Sequence, residues 1–144
     1  MAVECYISTT YTPFSIVNSY IDVWKRTFSP IVSYGICAEF AKLVSRRARD
    51  PGLSSVIRAA RKYSKGAITL DKFERVIADA DTGDAHDNYI ATIGMLTAAV
   101  YRGCIEETVN IVIFIMCAWH DVSFNDAYKR LIRVIEKVNK EYCK

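Results

Sequence analysis

Apolar positions recur at helical spacing along most of the chain, and no alternating run long enough for a strand follows residue 12. Residues 1–11 are polar and β-branched without a period, which predicts a loosely ordered lead-in. Thr12-Pro13 opens a first helix, because a proline at the first helical position gives up an N–H that has no partner there. Phe14, Val17, Tyr20, Ile21, Trp24 and Phe28 share one face of it, and Ser29-Pro30 ends it and opens the next by the same device. The second helix runs to about Arg49 with Ile31, Tyr34, Cys37, Phe40, Ala41 and Val44 inward, until Asp50-Pro51-Gly52 breaks it. A short basic helix follows over Leu53–Tyr63, stopped near Gly66. Thr69 caps a further one, striped by Leu70, Phe73, Val76, Ile77 and Ala80 up to Thr82-Gly83. Ser123-Phe124-Asn125-Asp126 begins the last helix with a capping-box pattern. Its face reads Phe124, Ala127, Tyr128, Leu131, Ile135, Val138 and Tyr142, with Lys129, Arg130, Arg133 and Glu136 toward water.

Two stretches depart from the amphipathic pattern. Tyr89–Tyr101 and Val109–Trp119 are nearly free of charge, separated by a turn at Arg102-Gly103 and an acidic first turn at Glu106-Glu107. Gly103 suits the left-handed position after a helix, and the two glutamates suit the positive end of the next helix dipole. A helix that is apolar all round must be enclosed. The pattern therefore predicts two enclosed helices, roughly 85–102 and 105–120, forming a central hydrophobic hairpin wrapped by amphipathic helices. The expected fold is an all-α bundle of about seven helices.

A chain of 144 residues, half of them hydrophobic and a quarter charged, fits one globular domain over 1–144. The hairpin is not expected to span a membrane, since its longest apolar run, Ile111–Trp119, is nine residues against about 20 needed. An N-terminus carrying Glu4, with no basic leader, and a C-terminus of Lys137, Lys140, Glu141 and Lys144 predict neither a secretory signal nor a tail anchor. Cys5, Cys37, Cys104, Cys117 and Cys143 are scattered without C-x-x-C spacing, which favours reduced core thiols in a cytosolic protein over a disulfide framework or zinc site.

The net charge of +3 hides an asymmetry. Arg46, Arg47, Arg49, Arg58, Arg61, Lys62 and Lys65 stand against Asp50 alone, and Asp71, Glu74, Asp79, Asp81, Asp84 and Asp87 against Lys72 and Arg75. Two solvated faces account for this, or a basic strip that meets an acidic partner; no nucleic-acid motif accompanies the strip, so nucleic acid is not an expected ligand.

Catalytic chemistry is hard to assemble. The six glycines are dispersed, so no phosphate loop is present. Cys117 and His120 sit three apart, as a thiolate–imidazole pair could, but Cys117 lies in the most apolar run, where cysteine behaves as a small hydrophobe. The carboxylates of 71–87 lack the EF-hand pattern. No enzyme activity, cofactor or metal is expected.

The order of elements resembles the Bcl-2 family, in which amphipathic helices surround a hydrophobic hairpin. Locally, Lys72–Tyr89 (KFERVIADADTGDAHDNY) followed by Ile90–Ala99 is similar to the segment leading into the first homology motif of that family. The family's Asn-Trp-Gly-Arg signature then falls on His86, Asp87, Asn88 and Tyr89, none of which keeps it. Trp119-His120-Asp121 to Ala127-Tyr128 resembles the second motif, with Phe124 near the family's tryptophan. The compact length and divergent motifs are most like the homologues carried by large DNA viruses, iridoviruses included.

The resemblance implies an anti-apoptotic protein of the host-cell cytoplasm. It would sequester the amphipathic death-motif helix of pro-apoptotic relatives (Bim-type, with Bak and Bax as further partners), and those partners would bring it to mitochondria. The groove would lie between the basic short helix and the 70–81 helix, lined by Ile57, Phe73, Val76, Ile77, Tyr89, Ile90 and Ile93. Tyr89 cannot form the bidentate pair that the family's arginine makes with the ligand aspartate, so either another cation meets that aspartate, with Arg58, Arg61 and Lys65 as candidates, or the groove has a narrower partner range. The alternative is a self-associating scaffold, suggested by nine tyrosines and two tryptophans, whose groove is covered in a homodimer.

Overall fold

The computed structural model describes residues 13–80 and 88–142, and it is helical throughout apart from turns. Seven α-helices follow one another among the described residues. They are α1 (Pro13–Thr27), α2 (Val32–Ala48), α3 (Pro51–Ser64), α4 (Leu70–Ala80), α5 (Asn88–Arg102), α6 (Ile105–Phe114) and α7 (Phe124–Tyr142), with a π-helical turn over Ile115–Trp119 closing α6. The all-α bundle expected from the pattern is what forms, and the stop signals act where chemistry places them. Asp50 caps α3 by accepting a hydrogen bond from the Leu53 amide, with Pro51 at the first helical position. Thr69 and Ser123 cap α4 and α7 through the amides of Lys72 and Asp126. Gly103 turns α5 into α6 at φ +66°, against the ring of Tyr34.

The centre of the bundle is α2. Every residue from Gly35 to Ala41 is buried, and α2 packs against α3, α5, α6 and α7. Gly35 lets α3 and α7 close in on it: a Cβ there would lie 2.5 Å from both the Ser64 and the Tyr142 hydroxyl oxygens. Glu39, on the same buried stretch, holds its carboxylate 2.7 Å from Lys137 Nζ of α7, 3.2 Å from Arg61 Nε of α3 and 3.9 Å from Lys42 Nζ. Arg61 approaches Oε1 off the direction a hydrogen bond needs, so that contact is ionic and Oε1 has no donor. Trp24 Nε1 donates to Asn139 Oδ1 at 2.9 Å and ties α1 to α7.

The enclosed central hairpin is not observed. Helices α5 and α6 do pair as an antiparallel hairpin, but each buries one face only. On α5, Ile93, Leu96, Ala99 and Val100 are buried, while Ile90, Met95 and Tyr101 are 45%, 56% and 36% exposed. On α6 and its π-turn, Phe114 and Trp119 are 52% and 41% exposed. Lack of charge signalled an apolar outer surface here, not enclosure on all sides.

Candidate functional site

Between α3 and α4 lies an open cleft of about 400 Å³. Its inner wall is the small or apolar set Ala59, Ile68 and Val76, and its exposed margin carries Arg58, Lys62 and Lys72 against Asp79. The local sequence explains this margin. Residues 58 and 62 are one turn apart on the outer side of α3, and the inner side of that helix is spent on Leu53, Val56, Ile57 and Ala60, which are buried. Among the described residues, Arg58, Lys62 and Lys72 make no ion pair.

The cleft falls between the two helices expected to form it, but its lining is mostly different. Of the expected residues, only Arg58 and Val76 line it. Phe73 is fully buried in an aromatic cluster with Tyr34, Tyr63 and Tyr101, stacked on Tyr63 at 5.0 Å and edge-on to Tyr34 at 5.6 Å. Ile57 and Ile93 are core residues, Ile77 packs half-buried against the core, and Ile90 faces outward on α5. Arg61 is committed to Glu39, and Lys65 to Glu141 at 3.0 Å. Of Arg58, Arg61 and Lys65, the cations expected to face an acidic ligand residue, Arg58 alone stands in the cleft.

Tyr89 is not a lining residue either. Its Oη lies 2.6 Å from His120 Nε2, and Trp119 packs edge-on to its ring at 5.4 Å. The pair joins the start of α5 to the end of the π-turn, and Arg47 donates a hydrogen bond to the His120 backbone carbonyl. Burial pushes the His120 imidazole below its ordinary value, with Arg47 and Arg130 adding to the effect. Burial likewise raises the Tyr89 phenol, partly opposed by Arg47. Of the other positions that the sequence resemblance singled out, Asn88 and Phe124 are exposed, and His86 and Asp87 lie outside the described residues.

Among the described residues, Cys117 and His120 make no hydrogen-bonded nucleophile–base pair. Cys117, expected in the core, is exposed, while His120 is buried. Cys37 is the core thiol, its pKa pushed up to about 12 by burial, which leaves it inert. Cys104 is half-buried, and Cys5 and Cys143 lie outside the described residues. Among the described residues no three metal-ligating side chains cluster, and no helix is long and apolar enough to cross a membrane.

Compared with known proteins, the chain matches no family model, and no curated protein or solved structure is significantly similar to it.

Proposed function

We propose that this chain is a non-catalytic receptor for an amphipathic helix, bound in the cleft between α3 and α4. The observation that carries the reading is the cleft itself: an apolar inner wall between two helices, with cations on its margin that make no ion pair among the described residues. At 1.5 Å per residue its walls are about 21 Å and 17 Å long, enough for a ligand of about three turns. Apolar anchors one turn apart would sit on Ala59, Ile68 and Val76, and an acidic residue of the ligand would meet Arg58. In the terms of the Bcl-2 resemblance, the ligand is the death-motif helix of a pro-apoptotic relative such as Bim, Bak or Bax. Binding it would block apoptosis by sequestration in the host cytoplasm or, through those partners, at mitochondria. A fluorescence titration with a labelled Bim-type helix tests this: Val76→Asp should abolish binding while leaving the helical circular dichroism unchanged.

A second reading has its own observation. The α5–α6 hairpin leaves three large apolar side chains, Ile90, Met95 and Phe114, exposed to solvent. Tyr89 with Trp119, and Arg102 with Glu107 at 2.7 Å, pin the two ends of the antiparallel hairpin together. An apolar surface of this kind favours a homodimer, joined through the hairpin rather than by covering the cleft.

A further inference from the structure

A second cleft, of about 610 Å³, opens where the end of α2 meets the π-turn and α7. Arg46 and Arg47 in the last turn of α2, Arg49 just beyond it and Arg130 of α7 surround it, with His120 and Leu43 completing the wall. We propose that this cleft binds a compact polyphosphorylated molecule, held by the guanidinium groups of Arg46, Arg49 and Arg130.

Four guanidinium groups at one cleft repel one another unless an anion joins them. Among the described residues, no carboxylate lies within the 4.0 Å of an ion pair from any of the four. The neighbouring acid Asp50 is occupied as the cap of α3. The negative end of the α2 dipole accounts for Arg46 and Arg47. It does not account for Arg130, which stands in the second turn of α7, toward that helix's positive end. Arginine also supplies what phosphate recognition needs, a planar fork that gives each phosphate two charge-assisted hydrogen bonds. Arg47 is partly used on the His120 carbonyl, which places it as a positioning residue and leaves the other three for the ligand.

The shape selects a small ligand over a nucleic acid. The volume lies within the range of small-molecule sites. The continuous basic strip of the sequence does not survive folding as one surface: Arg58 and Lys62 go to the α3–α4 cleft, Arg61 to Glu39 and Lys65 to Glu141. What remains is a concave cluster completed by Arg130; beyond it Arg133 stands exposed, while Lys42 and Lys137 are held by Glu39, which interrupts the positive surface. Two or more phosphates close together, on a free molecule or on a lipid headgroup, match that cluster.

Calorimetric titration with inositol hexakisphosphate and with inorganic tripolyphosphate tests the site directly. Binding is expected at low salt, weakened about tenfold or more by Arg130→Gln and by Arg49→Gln and changed less than twofold by Arg58→Gln. Histidine resonances should show the His120 pKa rising on binding in the parent protein, because the anion offsets the guanidinium charges around it. Flotation with vesicles containing phosphatidylinositol 4,5-bisphosphate, against phosphatidylserine vesicles of equal charge, distinguishes the headgroup source from the free one. No heat with either phosphate probe overturns the proposal. So does an equal loss in Arg58→Gln and Arg130→Gln, which would mean diffuse attraction, and so does single-stranded RNA that binds more tightly than both probes and displaces them.

Discussion

Tyr89 Oη and His120 Nε2 stand 2.6 Å apart, so the polar tip of Tyr89 is tied to its own chain. Tyr89 therefore acts on stability rather than on ligand binding. Tyr89→Phe removes one half-buried hydrogen bond and keeps the ring against Trp119, which should cost about 1 kcal/mol. Denaturant unfolding should show that loss, with affinity for a helical peptide unchanged. A weakened affinity without loss of stability would return Tyr89 to the cleft.

Acid should loosen the same junction. His120 titrates below its ordinary value of 6.5 in the folded chain, so as pH falls the unfolded chain takes up its proton first. Its contribution is complete above about 6.5 and is lost as pH drops toward the folded pKa. Unfolding midpoints should be lower at pH 5.5 than at pH 7.5, and His120→Gln should flatten the dependence in that window. Glu141, held down first by its hydrogen bond from Lys65, acts in a separate window below its ordinary 4.5. An unchanged slope in His120→Gln would assign the effect elsewhere.

The carboxylate of Glu39 is a third point of stress. Its side chain is 3% exposed, and Lys137 at 2.7 Å is its shortest partner. Lys137→Met leaves that buried charge to Arg61 and the more distant Lys42, and should destabilise by about 1–3 kcal/mol. Glu39→Gln should cost less, because its cationic partners are at least a third exposed and water screens them. A double-mutant cycle on Glu39 and Lys137 measures their coupling, and a coupling near zero would reduce the contact to an ordinary surface pair.

The helices were legible in the sequence because proline, capping residues and the 3.6-residue period act locally. Pro13, Asp50-Pro51, Thr69, Gly103 and Ser123 each mark a boundary within a residue or two of where the structure has it. What sits at the centre was not legible. The middle of α2 looked ordinary because it carries Glu39, whose neutralising partners lie on α3 and α7, far along the chain. The hairpin looked enclosed because Ala91, Gly94 and Met95 carry no charge, yet all three are exposed. The cleft was found by element and missed by residue for a related reason: the largest apolar side chain of α4, Phe73, turns inward to three tyrosines, leaving smaller groups at the surface.

Gly94 reports on the hairpin face. A Cβ there meets nothing within 4 Å, so Gly94→Ala should stabilise the monomer by about 0.5–1 kcal/mol. If the face is a dimer interface, Met95→Glu with Phe114→Glu should convert dimer to monomer in sedimentation without unfolding it. A chain that is already monomeric at high concentration would remove the second reading.

If the α3–α4 cleft receives a helix, Arg58 is the residue that meets its acidic side chain. Anisotropy titration of a Bim-type helix against the parent chain, Arg58→Glu and Tyr89→Phe tests it most directly. Binding at sub-micromolar affinity, weakened at least about tenfold by Arg58→Glu and untouched by Tyr89→Phe, is the predicted result. No binding to the parent chain, or equal binding by Arg58→Glu, would contradict it.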